Sequence, residues 1–442
     1  MNWPDRDRTV RISDIYFSPA GPFDDGFQLG VNPGEDQTRA DTILLTGPNG
    51  AGKSTILFAI ASCFGSYEEF VKRARTEQAI TAIRIESASG THTLAASSFT
   101  KDTLRDPFDG DSELKLALTM SNKRRVWASD GPAMSLWKHL QQPDSTTVSE
   151  DVALVFSYSS MRSFESGKSD PLGEFAGSAL AQAASFGLTN RAETFERWVS
   201  LNLTKRAVAH EAGDAAAANR YRSGLRSVEE AISQIMGAEF RFTLQTEPFA
   251  VLAKTGGSAV PLSVLPDGLR SILSWIGDLM MRLERLEHEG PAAELPFVLL
   301  LDEIEAHLHP LWQRQVLPVV EKLFPNAQIF LSSHSPFVIG TAIDTQIIAL
   351  DSGKVKKRLD SQSGRSYAAI ATEVMGLDAD FDPATEKKLD AFDEQRAAVM
   401  AGNGTLSALE ELAAELSKGS EELAITLRFQ IERVRTELEH LS

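Results

Sequence analysis

Gly47-Pro48-Asn49-Gly50-Ala51-Gly52-Lys53-Ser54-Thr55 follows the apolar run Thr42-Ile43-Leu44-Leu45 and runs straight into Ile56-Leu57. A strand feeding a G-x-x-x-x-G-K-S loop with a helix behind it is the layout that cradles phosphate. The glycines let the backbone turn several N–H groups inward. The cradle takes in Gly47, Asn49, Gly50, Ala51, Gly52, Lys53, Ser54 and Thr55. Lys53 is expected to reach the β- and γ-phosphates and the Ser54 hydroxyl to sit on Mg²⁺. The helix that follows turns its positive end toward the same anion. The pattern implies a bound nucleoside triphosphate.

Far downstream, Phe297-Val298-Leu299-Leu300-Leu301 ends in Asp302-Glu303. Placed beside the phosphate-loop strand, Asp302 can hold the Mg²⁺ shell and Glu303 can polarise an attacking water. A second apolar strand, Gln328–Ser332, leads into Ser333-His334-Ser335-Pro336, where His334 can hydrogen-bond a γ-phosphate oxygen or that water. His307 and His309, in Glu305-Ala306-His307-Leu308-His309-Pro310, have no cysteine or third ligand nearby. They read as structural or dimer-contact residues rather than a metal site.

Between these motifs the texture changes. Residues 80–100 and 114–120 alternate apolar and polar, as in a small antiparallel sheet. Val152–Phe156 is a further strand, leading into Tyr158-Ser159-Ser160-Met161-Arg162. Residues 165–238 are Ala-rich and helical, with a start signal at Thr189-Asn190-x-x-Glu193 and a break at Gly213. Two helices there form a hairpin of roughly 30–40 Å, far short of a long coiled-coil arm. Strands return at 239–245 and 248–254, and a helix from about Leu269 carries Ile272, Leu273, Ile276, Met280 and Leu283 on one face. After about residue 380 the pattern is helical, with a capping-box candidate at Ser407-x-x-Glu410. The last helix carries a seam of Ala424, Leu427, Ile431, Val434, Leu438 and Leu441, equally suited to its own chain or to another.

The 442 residues carry 44 Lys plus Arg against 61 Asp plus Glu, a formal charge of −17. Such a surface repels phosphate backbones, so nucleic acid is expected through a complex rather than through this chain alone. Lys123-Arg124-Arg125 and Lys354 with Lys356-Lys357-Arg358 read as solvated loops. The lone cysteine, Cys63, forbids an internal disulfide and suits a small buried residue. No run approaches the ~20 apolar residues that span a bilayer. The first residues lack the apolar core of a secretory signal, so no membrane role and a cytoplasmic location are expected.

Together, Gly47–Thr55, Asp302-Glu303, Glu305–Pro310 and Ser333–Pro336 resemble ABC-type ATPases of the SMC-like and overcoming-lysogenization-defect-like branch. The resemblance implies an α/β fold. Two ATPase lobes form one mostly parallel core sheet, joined by an antiparallel subdomain, a short helical hairpin and a helical tail. The boundaries fall at 1–164, 165–238, 239–355 and 356–442. It implies ATP and Mg²⁺ as cofactors, with Lys53, Glu303 and His334 catalytic and Ser54 and Asp302 on the metal. In that family a signature segment contacts nucleotide on the opposing subunit. The matching stretch is Val264-Leu265-Pro266-Asp267-Gly268-Leu269-Arg270, with Gly268 in place and Pro266 where a serine is expected. Proline has neither hydroxyl nor N–H to offer. Leu265–Ile272, Tyr158–Arg162 and the tail look most like PtuA-type ATPases of Septu and retron anti-phage systems. That likeness implies a head-to-tail dimer and an HNH-type nuclease partner. The alternatives are a nucleotide-gated scaffold with little turnover, favoured by Pro266, and an SMC-like DNA-repair ATPase, which lacks the long arms.

Overall fold

The structure, a computed structural model, describes residues 10–31, 40–65, 67–76, 78–87, 89–119, 125–129, 154–162, 175, 178–187, 192–286, 290–376 and 381–441. Lys123-Arg124, Val152-Ala153 and Thr189-Asn190 lie outside them. The first part of the chain forms β1 (Arg11–Phe17), β2 (Phe27–Gly30), β3 (Asp41–Thr46), helix α1 (Lys53–Phe64) and the short α2 (Tyr67–Val71). Then come β4 (Thr81–Ser87), β5 (Gly90–Ser97), β6 (Thr103–Arg105), β7 (Glu113–Thr119), β8 (Arg125–Ala128) and β9 (Val155–Tyr158). The middle of the chain forms helices α3 (Ala192–Glu211) and α4 (Ala215–Met236) and strands β10 (Phe240–Thr246), β11 (Phe249–Thr255) and β12 (Ser258–Pro261). Helix α5 (Asp267–Ile272) continues through a π turn (Leu273–Gly277) into α6 (Asp278–Glu284). Next are β13 (Val298–Leu301), α7 (Pro310–Leu323), β14 (Gln328–Ser332), α8 (Pro336–Ile339), β15 (Thr345–Asp351), β16 (Lys354–Leu359) and α9 (Tyr367–Glu373).

Six strands lie in the order β16-β15-β3-β14-β13-β9, and all but β16 are parallel to their neighbours. Every residue of β3, β13, β14 and β9 is buried, as expected where helices and a second sheet cover both faces. The first strands build an antiparallel sheet, β2-β1-β4-β5-β8-β7-β6. Helix α1 lies between the two sheets. Its Ile56, Leu57 and Ile60 join one core with Ile43, Leu45 and Leu300 of the parallel sheet and Ile12, Ile15 and Ile83 of the antiparallel one. This is why α1 reads as apolar all round instead of as an amphipathic helix. Cys63 is buried in the same core.

One strand position differs from the expectation. β13, which carries Asp302 at its end, is not beside the phosphate-loop strand: β14 lies between β3 and β13. Apolar runs define strands but not their order, because any of these three could occupy the centre.

The hairpin helices meet at Gly213, with φ +74°, followed by Asp214, whose carboxylate caps α4 by accepting from the Ala217 N–H at 2.9 Å. The fully buried Glu229 of α4 accepts from the Phe242 N–H at 2.8 Å and from Arg241 at 3.1 Å, fastening the hairpin to β10.

The chain divides into two compact units, Met1–Ile370 and Ala371–Ser442. The second holds α10 (Pro383–Met400), α11 (Leu406–Leu416) and α12 (Glu421–Leu441). The α12 seam turns inward: Leu427 and Val434 are buried with Phe392, Leu409 and Leu416, and Ile431 and Leu438 pack against them. Among the described side chains of α12, the large apolar ones left exposed are Ile425 at 65% and Phe429 at 67%. Helix α11 starts at Thr405, whose hydroxyl accepts from the Ala408 N–H, so the expected capping box at Ser407 falls inside the helix.

Candidate nucleotide site

The phosphate loop leaves the C-terminal end of β3, where parallel sheets place their ligands. Gly47, Gly50 and Gly52 have φ of +135°, +81° and +105°, which side-chain-bearing residues rarely adopt. Two of them also lack room. A Cβ on Gly47 would lie 2.1 Å from the Leu350 carbonyl oxygen, and one on Gly52 would lie 2.3 Å from the Phe23 ring. Pro48, Asn49 and Gly50 form the exposed tip, whereas Ala51, Gly52, Lys53 and Thr55 are buried.

Lys53 Nζ donates to the Gly47 and Pro48 carbonyls at 2.9 and 3.0 Å, drawing its charge across the mouth of the loop. Burial pulls its pKa below the ordinary lysine value, against the opposing field of Asp302, Glu303 and Glu305. Ser54 Oγ donates to Asp302 Oδ1 at 2.9 Å. Ser332, at the end of the intervening β14, donates to the same oxygen at 2.6 Å. The strand between the two motifs therefore supplies the hydroxyl that braces them. Ser54, Asp302 and Ser332 make a set of hard oxygen donors, the kind that suits Mg²⁺.

Glu303 has φ +49°, a left-handed backbone that costs an ordinary residue about 1–2 kcal/mol. Two side chains hold it there. Its N–H donates to Ser332 Oγ at 2.8 Å, and its carbonyl accepts from Arg162 Nη2 at 2.7 Å. His334 follows β14, and its backbone N–H donates to Glu305 Oε1. Burial and the nearby Lys53 charge push the His334 imidazole below its usual pKa, which favours its neutral form. Lys53, Ser54, Asp302, Glu303 and His334 thus gather where the C-terminal ends of β3, β14 and β13 adjoin.

Gly268 lies elsewhere. It is buried in the first turn of α5 against its own chain, where a Cβ would stand 2.8 Å from the His307 carbonyl oxygen and 3.0 Å from the Trp312 ring. His307, at φ +66°, aims that carbonyl inward, and His309 caps α7 by accepting from the Leu311 N–H at 3.3 Å. Pro266 and Asp267 are exposed at the start of the helix, with Asp267 paired to Arg270.

Arg162 was not legible as a site residue in the sequence. It follows β9 by four positions and is 8% exposed, with Nε and Nη1 lacking hydrogen-bond partners among the described residues. Burial lowers its pKa to about 10 despite the nearby Glu305, Asp302 and Glu303. Glu305, whose Oε2 is also buried and unpartnered, is pushed above the usual carboxylate range by its own burial. In the sequence it stood only as the last residue of the Tyr158–Arg162 stretch, just past an apolar strand, with no role assigned to it.

Residues 186–340 match the protein family described as "AAA domain, putative AbiEii toxin, Type IV TA system". The "Retron Vc95 probable ATPase" of Vibrio cholerae serotype O1 biovar El Tor is 30% identical over 125 residues, 27% of this chain and 24% of that protein. The chain is similar to the AAA-type ATPases of retron and Septu systems. The Septu protein PtuA of Bacillus thuringiensis is 26% identical over 181 residues, 37% of this chain and 46% of that one. The chain thus spans less than half the length of these curated relatives. Among solved structures, an SMC head bound to the C-winged helix domain of ScpA matches with a TM-score of 0.45 and 14% identity, covering 79% of this chain and 97% of that one. Among the described residues, no helix is long and apolar enough to cross a membrane.

Proposed function

We propose that this chain binds ATP with Mg²⁺, hydrolyses it, and works as a head-to-tail dimer that gates a nuclease partner in anti-phage defence. The observation that carries the reading is the 2.9 Å contact between Ser54 Oγ and Asp302 Oδ1, which joins the phosphate loop to a strand-end carboxylate 248 residues away. Ser54 and Asp302 would hold the metal, and Mg²⁺ when bound supplies charge neutralisation at the phosphate oxygens. Lys53 exchanges its carbonyl contacts for β- and γ-phosphate oxygens, and the backbone of Asn49 through Thr55 wraps the phosphates. Glu303 takes the proton of the attacking water, its backbone fixed by Ser332 and Arg162. Neutral His334 offers a ring nitrogen to that water or to a γ-phosphate oxygen.

Functionally, 1–164 and 239–355 act as the two ATPase lobes, 165–238 as an insertion and 356–442 as a partner-binding tail. The exposed start of α5, with Gly268 behind it, faces the second copy's nucleotide. An HNH-type nuclease docks on the exposed Ile425 and Phe429 face of α12, and nucleic acid is met through that complex. A second reading, a nucleotide-gated scaffold with little turnover, is favoured by Pro266 and Asp267, which bring no hydroxyl and one negative charge to the contact.

Calorimetric titration with MgATP, paired with a phosphate-release assay, tests the proposal. Lys53→Ala removes a charge-assisted contact worth about 1.5–3 kcal/mol, or roughly 10–150-fold in affinity. Glu303→Gln keeps binding and loses turnover. Unchanged affinity in Lys53→Ala overturns the site, and parent-rate turnover in Glu303→Gln removes Glu303 as the base. Binding without turnover in the parent protein selects the scaffold.

A further inference from the structure

A cleft of about 700 Å³ opens between the hairpin helices and the C-terminal end of α6, lined by groups from five segments. Lys205 comes from α3, Arg220 and Tyr221 from α4, and Glu284 and Arg285 from the end of α6. Among the described lining residues, three cations thus face one carboxyl group on a chain whose formal charge is −17. All three lie against aromatic rings. Lys205 Nζ and the Arg220 guanidinium lie 5.7 and 5.5 Å from the Tyr221 ring centre, and Arg285 lies 4.6 Å from that of Phe175. Among the described residues, neither Lys205 nor Arg220 has a carboxylate within ion-pair distance. Both are exposed, so their charge is available to an incoming anion.

The floor is built with care. Glu284 accepts from Trp198 Nε1–H at 2.8 Å, and a Cβ on Gly224 would stand 1.7 Å from Glu284 Oε1. A glycine in mid-helix weakens the helix, and here it opens the notch that admits the carboxyl group. Burial raises the Glu284 pKa to about 7, so near neutrality this group can donate as well as accept. Cations at the rim, aromatic faces on the walls and a donor–acceptor group at the floor match phosphate, ring and polar ring edge in turn.

We propose that the hairpin cleft binds a phosphorylated nucleotide, at a site separate from the phosphate loop. The nucleotide is either a free mononucleotide or the phosphorylated end of a nucleic-acid strand. Lys205 and Arg220 hold the phosphate and Tyr221 stacks on the base.

The test is calorimetry on the full chain carrying Lys53→Ala, which disables the phosphate loop and keeps the two sites apart. The probes are GMP, a 5′-phosphorylated trithymidylate, and guanosine and unphosphorylated trithymidylate as their phosphate-free counterparts. One phosphorylated probe is expected to bind with a single site, and its phosphate-free counterpart to bind at least tenfold more weakly. Binding by GMP identifies a free nucleotide, and binding by the trinucleotide alone identifies a strand end. Adding Lys205→Glu and Arg220→Glu is expected to lower affinity by roughly 10–150-fold or more. These residues are exposed, so the melting curve should hold; Tyr221→Leu provides a second variant that keeps bulk and removes the stack. The proposal is overturned if no probe binds, or if the charge-reversed and Tyr221→Leu proteins both bind as tightly as their parent. MgATP binding by the Lys205→Glu, Arg220→Glu protein with Lys53 intact separates this outcome from failure of the phosphate loop itself.

Discussion

The strand-end site and the hairpin cleft are built on opposite principles. At the strand ends, short side chains brace one another: Ser332 bonds both Asp302 and the Glu303 N–H, and Ser54 meets the same carboxylate. In the cleft, long cations lean on aromatic faces, and one carboxyl group is fixed by an indole. The first arrangement holds atoms where charge must develop, which is what chemistry needs. The second leaves the charged groups free to follow a ligand, which is what recognition needs. The contrast teaches that the first site is fastened to the parallel sheet, whereas the second is assembled around the hairpin helices.

Breaking the rigid side should have the largest effect. Glu303→Gln is expected to cut ATP turnover by about 10²–10⁴-fold while leaving MgATP affinity unchanged, read by steady-state kinetics and titration. The cleft offers a stability measurement of the next size. Glu284 titrates near 7 in the fold against 4.5 as a free side chain, so folding favours its protonated form. Its contribution is fully present below pH 4.5 and is lost as pH rises through 7. Glu284→Gln, which cannot ionise, is expected to be more stable than the parent at pH 8 by up to about 3 kcal/mol and to lose that advantage at pH 4.5. Urea unfolding at the two pH values checks it, and equal stabilities at pH 8 would show that the carboxyl group is not held in its neutral form.

Arg162→Met sharpens the comparison from the other direction. It leaves the Glu303 carbonyl without its donor, and we expect kcat to fall by roughly 10-fold with KM unchanged, as for a bond of about 1.5 kcal/mol. A KM rise without a kcat change would assign Arg162 to binding instead. The smallest effect belongs to the tail. Ile425→Asp with Phe429→Asp should change the melting free energy by no more than about 0.5 kcal/mol, because both side chains are exposed. The same change should abolish capture of the proposed nuclease partner in a pull-down. Leu427→Asp is the control: it lies in the tail's core and should unfold it.

Much of the strand-end site was legible because its motifs are local. Gly47–Thr55 needs only its own glycines and the strand before it, and Asp302-Glu303 needs only the apolar run it terminates. What was not legible depended on which distant segments meet. Strand order placed β14 in the middle and gave Ser332 its bridging role, and nothing in Gln328–Ser332 announces that position. Arg162 carries no local signature because its partners are residues 302, 303 and 305. The α12 seam was legible as apolar, but its partner was not, since a 3-4 repeat fits an intramolecular and an intermolecular helix equally well. Gly268 illustrates the same limit. Its match to a signature segment says nothing of the His307 carbonyl and Trp312 ring packed on it, which make bulky substitutions there a disturbance of the fold.

The π turn at Leu273–Gly277 interrupts the helix that begins beside Gly268 and ends at Glu284. Such a turn stores one surplus residue within a continuous rod. Drawing that slack out would swing one end of the rod about 100° around its axis relative to the other and lengthen it by about 1.5 Å. Asp278, just past the turn, is tied to Tyr158 at 2.9 Å, and Gly268, before it, is packed against His307 and Trp312, so each half is held by a different part of the fold. The two ends of this rod need not move as one. A change of register at the π turn would shift the Gly268 end relative to the cleft at Glu284.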